Sequence, residues 1–452
     1  MTSIVRSRRV LAAGTIAPAS VHVDGGRITK VAAWDDVPAG ASVDDHGERL
    51  VMAGIVDAHV HMNEPGRTEW EGFATATRSA AAGGVTTVVD MPLNSIPATT
   101  SVAGIEAKLA ALDGQCHVDV GLWGGAIPDN DGDLAAMVKR GVLGFKCFLV
   151  DSGVPEFPPL AEDGLARAMK ALAECNVPLL VHAELPGPRD RALATLPPPN
   201  ERNVRTYLRY LRSRPPEAED EAIALLLRLL ETTRARTHVV HLASASGMEL
   251  VRRGKEAGLP ITAETTPHYL RLEAEAIPDG ATAFKCAPPI REHANREKLW
   301  AGLREGVIDS VVTDHSPCTP ELKKMELGDF DAAWGGIASL QLGLSVVWTE
   351  ARARGVSLVD LSRWMSEAPA RLAGLENKGK IAVGRDADFV VWDPDASFVV
   401  TKERILHRHK ITPYEGQSLF GTVAATYLRG TRIFDGSTVT ERTGRWLRGA
   451  SA

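Results

Sequence analysis

Apolar residues fall along this chain in short runs, each followed by a longer stretch with helical spacing. The runs lie at 51–58, 85–91, 118–123, 142–149, 178–183, 237–242, 260–264 and 308–313. Continuous apolar runs of this length, bounded by turn residues, read as buried strands. Between them, Thr68 to Ala82 ends at Gly83-Gly84, Asp163 to Glu174 is amphipathic, and Glu217 to Thr233 follows Pro215-Pro216. Glycine after a helix and proline before one are the expected stop and start signals. Strands alternating with helices imply a parallel sheet. Eight such units predict an α/β chain built on a closed (β/α)8 TIM barrel; an open doubly wound sheet is the alternative. The chain has no GxGxxG, P-loop or GxSxG motif to favour a nucleotide fold or a hydrolase elbow.

The two ends of the chain have another texture. Val21-His22-Val23 and Ile28-Thr29-Lys30-Val31 flank Asp24-Gly25-Gly26-Arg27, a hairpin signal. Near the C-terminus, Gly384-Arg385-Asp386-Ala387-Asp388 leads into Phe389-Val390-Val391-Trp392, and Thr422 to Leu428 precedes the turn Arg429-Gly430-Thr431. This predicts a small β-sandwich domain formed by both chain ends, residues 1–50 and 376–452, around a barrel of residues 51–375.

Chemistry gathers at the ends of the predicted strands. The first closes on Asp57-Ala58-His59-Val60-His61, where residues two apart point to one side. The fourth carries Lys146, the fifth ends at His182, the sixth at His241 and the eighth at Asp314. Taken singly, each has a structural reading: a histidine can be a hydrogen-bonded core group, a lysine can snorkel and an aspartate can cap a helix. Together they crowd the C-terminal mouth of one barrel, where barrel enzymes do their chemistry. Histidine and carboxylate there suit a divalent metal. An ammonium cannot ligate a cation, but a buried lysine near positive charge loses its proton readily. Its neutral amine can take up CO2, giving a carbamate able to bridge two metals. His238 lies three residues before His241 and, in a strand, the two face opposite sides, so they cannot both point to a metal.

Composition narrows the classes. The chain has 452 residues, 44% hydrophobic and 24% charged, as expected of a globular protein. A net charge of -6 argues against nucleic acid or an anionic membrane as partner. The five cysteines are odd in number and form no CxxC, which fits a reducing compartment. Arg6, Arg8 and Arg9 precede Val10-Leu11-Ala12-Ala13, but this run is too short for a signal peptide and meets Gly14 and Pro18. A cytoplasmic location is the expectation.

The order HxH, Lys, His, His, Asp resembles the binuclear cyclic-amide hydrolases of the amidohydrolase superfamily, along essentially the whole chain. The matching stretches include His61 to Gly72, Met91-Pro92-Leu93-Asn94, Gly144-Phe145-Lys146-Cys147-Phe148, Lys285 to Arg291, Asp314-His315-Ser316-Pro317-Cys318, Ala333-Trp334-Gly335-Gly336-Ile337-Ala338 and Gly379 to Asp388. The resemblance implies that His59 and His61 hold one metal with Asp314, that His182 and His241 hold the other, and that Lys146 bridges them as N6-carboxylysine. It favours His241 over His238. The cofactors implied are two divalent ions, zinc foremost with iron, cobalt or manganese as alternatives, and CO2 for Lys146. A metal-bridging hydroxide would attack a ring amide, with Asp314 as the catalytic proton shuttle.

Within that group the allantoinase pattern fits best, implying hydrolysis of allantoin to allantoate. Hydantoinases carry a Tyr shortly after the modified lysine, whereas Cys147-Phe148-Leu149-Val150-Asp151 follows here. Dihydroorotases place an arginine directly before Glu-Pro-Gly and have Asp-His-Ala-Pro-His. This chain has Asn63 before Glu64-Pro65-Gly66, and Asp314-His315-Ser316-Pro317-Cys318. Hydantoinase or dihydroorotase activity is the alternative, and a non-catalytic assembly relative a third reading. Arg67 and Asn94 follow the first two strands and His268 the seventh, so all three are substrate-contact candidates. The Pro- and Arg-rich segment Glu184 to Arg214 reads as a helical insertion over the site, or else as a disordered excursion. The implied partners are a small-molecule substrate and copies of the same chain in a homotetramer or dimer, with no nucleic acid and no membrane.

Overall fold

The structure, a computed structural model, describes residues 3–449. Its centre is a ring of parallel strands: Ile55–Val60, Val85–Asp90, Asp119–Leu122 continuing as Gly124–Gly125, Phe145–Phe148, Leu179–His182, Thr237–Val239, Ile261–Thr265 and Ser310–Val311. Leu143 N–H donates to Leu122 O (3.0 Å) across the third and fourth positions. His61 N–H donates to His315 O (2.8 Å), and Val60 bridges to His315, closing the first strand on the last. Strands buried on both faces read as largely apolar runs, which is how the chain displays them. Asp57 is one of the charged residues within them. Its buried carboxylate accepts from Thr313 N–H (3.2 Å) and Thr313 Oγ1–H (2.5 Å), tying the ends of the ring together.

The run 51–58, expected to be one strand, is divided between two sheets. Leu50–Ala53 pairs with Arg9 and Val10 and, antiparallel, with Phe389 to Trp392. Ile55–Val60 belongs to the barrel. The crossing falls at Gly54, where a Cβ would lie 2.2 Å from Thr86 Oγ1. Both halves are buried, so hydrophobicity alone carries no sign of the break.

Both chain ends build one eight-stranded sheet, from Ser3–Ala12, Thr15–Asp24, Arg27–Ala33, Ser42–Asp45, Leu50–Ala53, Phe389–Val399, Ser418–Leu428 and Thr431–Phe434. The expected hairpin turns at Gly25 (φ 54°) and Gly26 (φ 79°), left-handed positions that glycine adopts without strain. Val21, Val23, Val51, Phe389, Val391 and Tyr427 share its buried core. The sheet is fastened to the barrel by Lys378, whose buried ammonium meets Asp119 (2.6 Å), Asp388 (2.7 Å) and Asp386 (2.9 Å).

Helix Glu217–Thr233 has the bounds its spacing predicts, and Glu162–Cys175 nearly so. The first barrel helix, Phe73–Ala82, starts later than Thr68. Gly72 turns at φ 105°, and the Glu64 carboxylate accepts from Phe73 N–H (2.7 Å), satisfying a helix-start donor from a distance. Residues 63–72 are thereby left as a loop at the mouth. The 184–214 segment is helical, with Pro186–Thr195 and Tyr207–Ser213. The cysteines are all free thiols.

Candidate metal centre and active site

His59, His61, Lys146, His182, His241 and Asp314 line one pocket of about 300 Å³ at the C-terminal mouth of the barrel. All six side chains are buried. His59 Nε2 lies 3.2 Å and His61 Nε2 3.5 Å from Asp314 Oδ1. His182 Nδ1 is 3.0 Å from His241 Nε2.

Two carboxylates set the histidine tautomers. His59 Nδ1–H donates to Glu264 Oε1 (2.5 Å) and His182 Nε2–H to Glu184 Oε2 (2.8 Å). In a neutral imidazole the other nitrogen is then a bare lone pair. His59 Nε2 has no hydrogen-bond partner and faces a carboxylate oxygen; His182 Nδ1 faces a second imidazole. The His59 nitrogen and the Asp314 oxygen are two acceptors at 3.2 Å, which repel unless a cation lies between them. Nitrogen ligands about 2.0–2.1 Å from one tetrahedral ion are themselves about 3.3 Å apart, so the spacings fit. Burial favours the neutral form of two of the rings: it pushes His61 down to about 4 and His241 well below the usual histidine range.

Lys146 Nζ is buried with no hydrogen-bond partner. Burial pushes its pKa down to about 8 against the pull of Asp314 and Glu264. A neutral amine is the form that reacts with CO2.

Backbone strain concentrates here. Asn63 (φ 62°), Asn94 (φ 64°), His241 (φ 38°) and Asp314 (φ 46°) are non-glycine residues in left-handed conformations. Such strain is retained mainly at functional sites. At His241 it has a direct consequence. The strand ends at Val239, so strand alternation no longer governs where His241 points. His238 is not remote from the site either: its Nε2 bonds Glu264 Oε2 (3.0 Å), the same carboxylate that orients His59.

Among the described residues one other buried group has metal-binding spacing, Asp119, Asp386 and Asp388. The Lys378 ammonium already occupies it, leaving the histidine cluster as the metal candidate.

The three substrate-contact candidates separate. Asn94 lines the pocket, held by Nδ2 donating to Asn63 Oδ1 (3.0 Å), with its own Oδ1 unpartnered. Arg67 does not line it; its guanidinium donates to Asn94 O (2.6 Å), pairs with Glu156 and stacks on Trp70. It supports the Asn94 turn. His268 is buried edge-on against Tyr269, outside the pocket wall, with both ring nitrogens unpartnered.

The two orienting carboxylates and much of the wall are not among the residues expected from the sequence. Glu184 stands two residues after His182, and Glu264 is a charged residue ending a buried strand, so both were legible. Arg189, Tyr210, Arg214, Lys285 and Trp334 also line the pocket; their chain positions alone give no sign of it. Arg214 donates to Glu184 Oε2 (2.9 Å), which links the helical insertion to His182.

Comparisons with known proteins identify the family. The amidohydrolase family model matches residues 50–433. The chain is 51% identical over 445 residues to an allantoinase of Streptomyces avermitilis, covering 98% of each chain. It is 51% identical over 374 residues to a mitochondrial allantoinase of Aquarana catesbeiana, covering 82% of this chain and 76% of that one. The L-hydantoinase (dihydropyrimidinase) structure from Arthrobacter aurescens superposes with a TM-score of 0.91 at 28% identity, covering 99% of this chain and all of that one. The chain belongs to the amidohydrolase family and, within it, to the allantoinases.

Proposed function

We propose that this chain opens the hydantoin ring of allantoin with water, breaking the ring N3–C4 amide to give allantoate. One observation carries the choice of substrate. Full-length identity to an allantoinase reaches 51%, against 28% to the superposed hydantoinase. The pocket supplies the means.

His59, His61 and Asp314 would hold one divalent ion, His182 and His241 the other, and carbamylated Lys146 would bridge them. Zinc suits the nitrogen-rich set, with iron, cobalt or manganese as alternatives. When bound, the ions would lower the pKa of water and polarise the ring carbonyl. Lys146 reaches its bridging form by amine addition to CO2 with loss of one proton; its burial without a partner supports this. Glu264 and Glu184 hold the His59 and His182 rings in the ligating tautomer. Asp314 Oδ accepts the proton of the attacking water and delivers it to the departing ring nitrogen. Asn94, with a free acceptor in the pocket wall, contacts the substrate.

We read the terminal sheet as a β-sandwich domain of residues 1–50 and 376–452 around a barrel of 51–375. The exposed apolar residues Leu193, Leu208, Met325 and Leu327 on the insertion and the nearby 320–328 segment support a homo-oligomer, tetramer or dimer. A cytoplasmic location is proposed; among the described residues no helix is long and apolar enough to cross a membrane.

The test is turnover of allantoin, 5-substituted hydantoins and dihydroorotate side by side by metal-loaded protein. Allantoin is expected to be opened fastest. A preparation that leaves allantoin intact while opening a hydantoin overturns the substrate assignment. One that binds metal and opens none of the three restores the non-catalytic reading.

A further inference from the structure

Two hydrogen-bond donors in the pocket wall have no use in the chemistry just described. Trp334 Nε1–H and Arg189 Nε–H are both buried and unpartnered, on side chains that line the pocket. An unpaired buried donor costs about 1–3 kcal/mol, so such atoms in a binding wall call for a ligand acceptor.

Trp334 is also held rigidly. Lys285 Nζ donates to Asp331 O (3.2 Å) and Ala333 O (2.5 Å). Lys323 Nζ donates to Lys285 O (3.0 Å), Trp334 O (3.1 Å) and Gly336 O. Both amines are buried. Two lysines thus staple the backbone on either side of Trp334, and its ring packs edge-on against Trp70 at 4.8 Å. A donor fixed in this way is pre-organised, so little entropy is lost when it bonds a ligand.

Arg189 comes from elsewhere, the insertion helix Pro186–Thr195. Arg214 and Lys285 stand in the same wall. Arg214 is neutralised by Glu184 (2.9 Å), and Arg189 has no carboxylate within ion-pair distance among the described residues. The wall offers donors and positive charge, and it suits a carbonyl oxygen.

Allantoin differs from the bare hydantoin ring by a ureido arm, which carries one carbonyl oxygen. We propose, on the reading of allantoin as substrate, that Trp334 and Arg189 form the subsite for this arm, its carbonyl oxygen accepting from Trp334 Nε1–H and Arg189 Nε–H. A ring without the arm leaves both donors unpaired, and a site built to hydrogen-bond a substrate group discriminates strongly against analogues lacking it.

The experiment measures kcat/KM for allantoin and for unsubstituted hydantoin in metal-loaded wild type, Trp334→Phe and Arg189→Met. Trp334→Phe keeps a ring and removes the N–H. Each substitution is expected to lower the allantoin-to-hydantoin ratio by about tenfold to a hundredfold, the factor attached to one buried hydrogen bond. Arg189 is only half-buried, so Arg189→Met reads the ratio even where Trp334→Phe fails to fold. A ratio unchanged in both variants, with the two substrates losing rate in parallel, overturns the subsite. A wild type that opens hydantoin but not allantoin overturns the substrate reading instead.

Discussion

At His59 one ring nitrogen is committed to Glu264 and the other, bare and buried, faces Asp314 across 3.2 Å. The residue types were legible, because histidine two apart on a strand end is a recognisable pattern. Their tautomers were not, since these depend on a carboxylate more than two hundred positions away in sequence. Lys146 shows the same division. A lysine inside an apolar run is visible in the sequence; that its amine has no partner is a tertiary fact. The bridging role predicts that Lys146→Ala loses binuclear metal loading and turnover, with part of both restored by a short carboxylic acid that fills the gap. Metal analysis of the purified variant, with and without the acid, checks this. Wild-type metal content without rescue would falsify the bridge.

At the scale of elements, the strand ends position the chemistry and the loops after them complete it. His241 and Asp314 sit beyond the last paired residue of their strands, in left-handed conformations that turn them to the centre. Alternation along a strand therefore separated His238 from His241 for a reason that stops applying at Val239, and the structure joins His238 to the same hydrogen-bond network. The insertion 184–214 is the other decisive element. Its end supplies Arg214, which bonds Glu184, which bonds His182. This chain predicts that Arg214→Gln weakens metal binding about tenfold to a hundredfold, the usual effect of losing an orienting contact behind a ligand. Titration of metal against a competing chelator measures it, and an unchanged affinity would show that Arg214 holds only the insertion.

For the molecule as a whole, a buried ion cluster joins the terminal sheet to the barrel at the start of the third barrel strand, beside a shared apolar core. Asp119 opens the third barrel strand and receives Lys378, Arg429 and the backbone N–H of Arg445 (2.9 Å). Opposing carboxylates hold the Lys378 ammonium well above the usual lysine range despite burial. Removing one member of a buried ion cluster leaves the others uncompensated, at a cost of about 3–5 kcal/mol. Lys378→Met is accordingly expected to lower unfolding stability by that amount, measured by denaturant titration of metal-loaded protein, with the metal content of the folded variant retained. A loss of metal without a loss of stability would place Lys378 in the site rather than in the frame.

The sequence by itself determined the alternation of strand and helix, the hairpin at each chain end and the kinds of ligand at each strand end. These are local: hydrophobic period, turn chemistry and residue type act over a few neighbours. It also displayed Lys285 to Arg291 and Ala333 to Ala338 as stretches of note without saying what they do. Only the tertiary structure divided 51–58 at Gly54, because the steric limit there is Thr86 on another strand. Only it moved Arg67 out of the pocket, set Glu264 behind His59 and placed Trp334 and Arg189 in one pocket wall. Those assignments depend on contacts between residues far apart in the chain, and such contacts leave no local pattern to read.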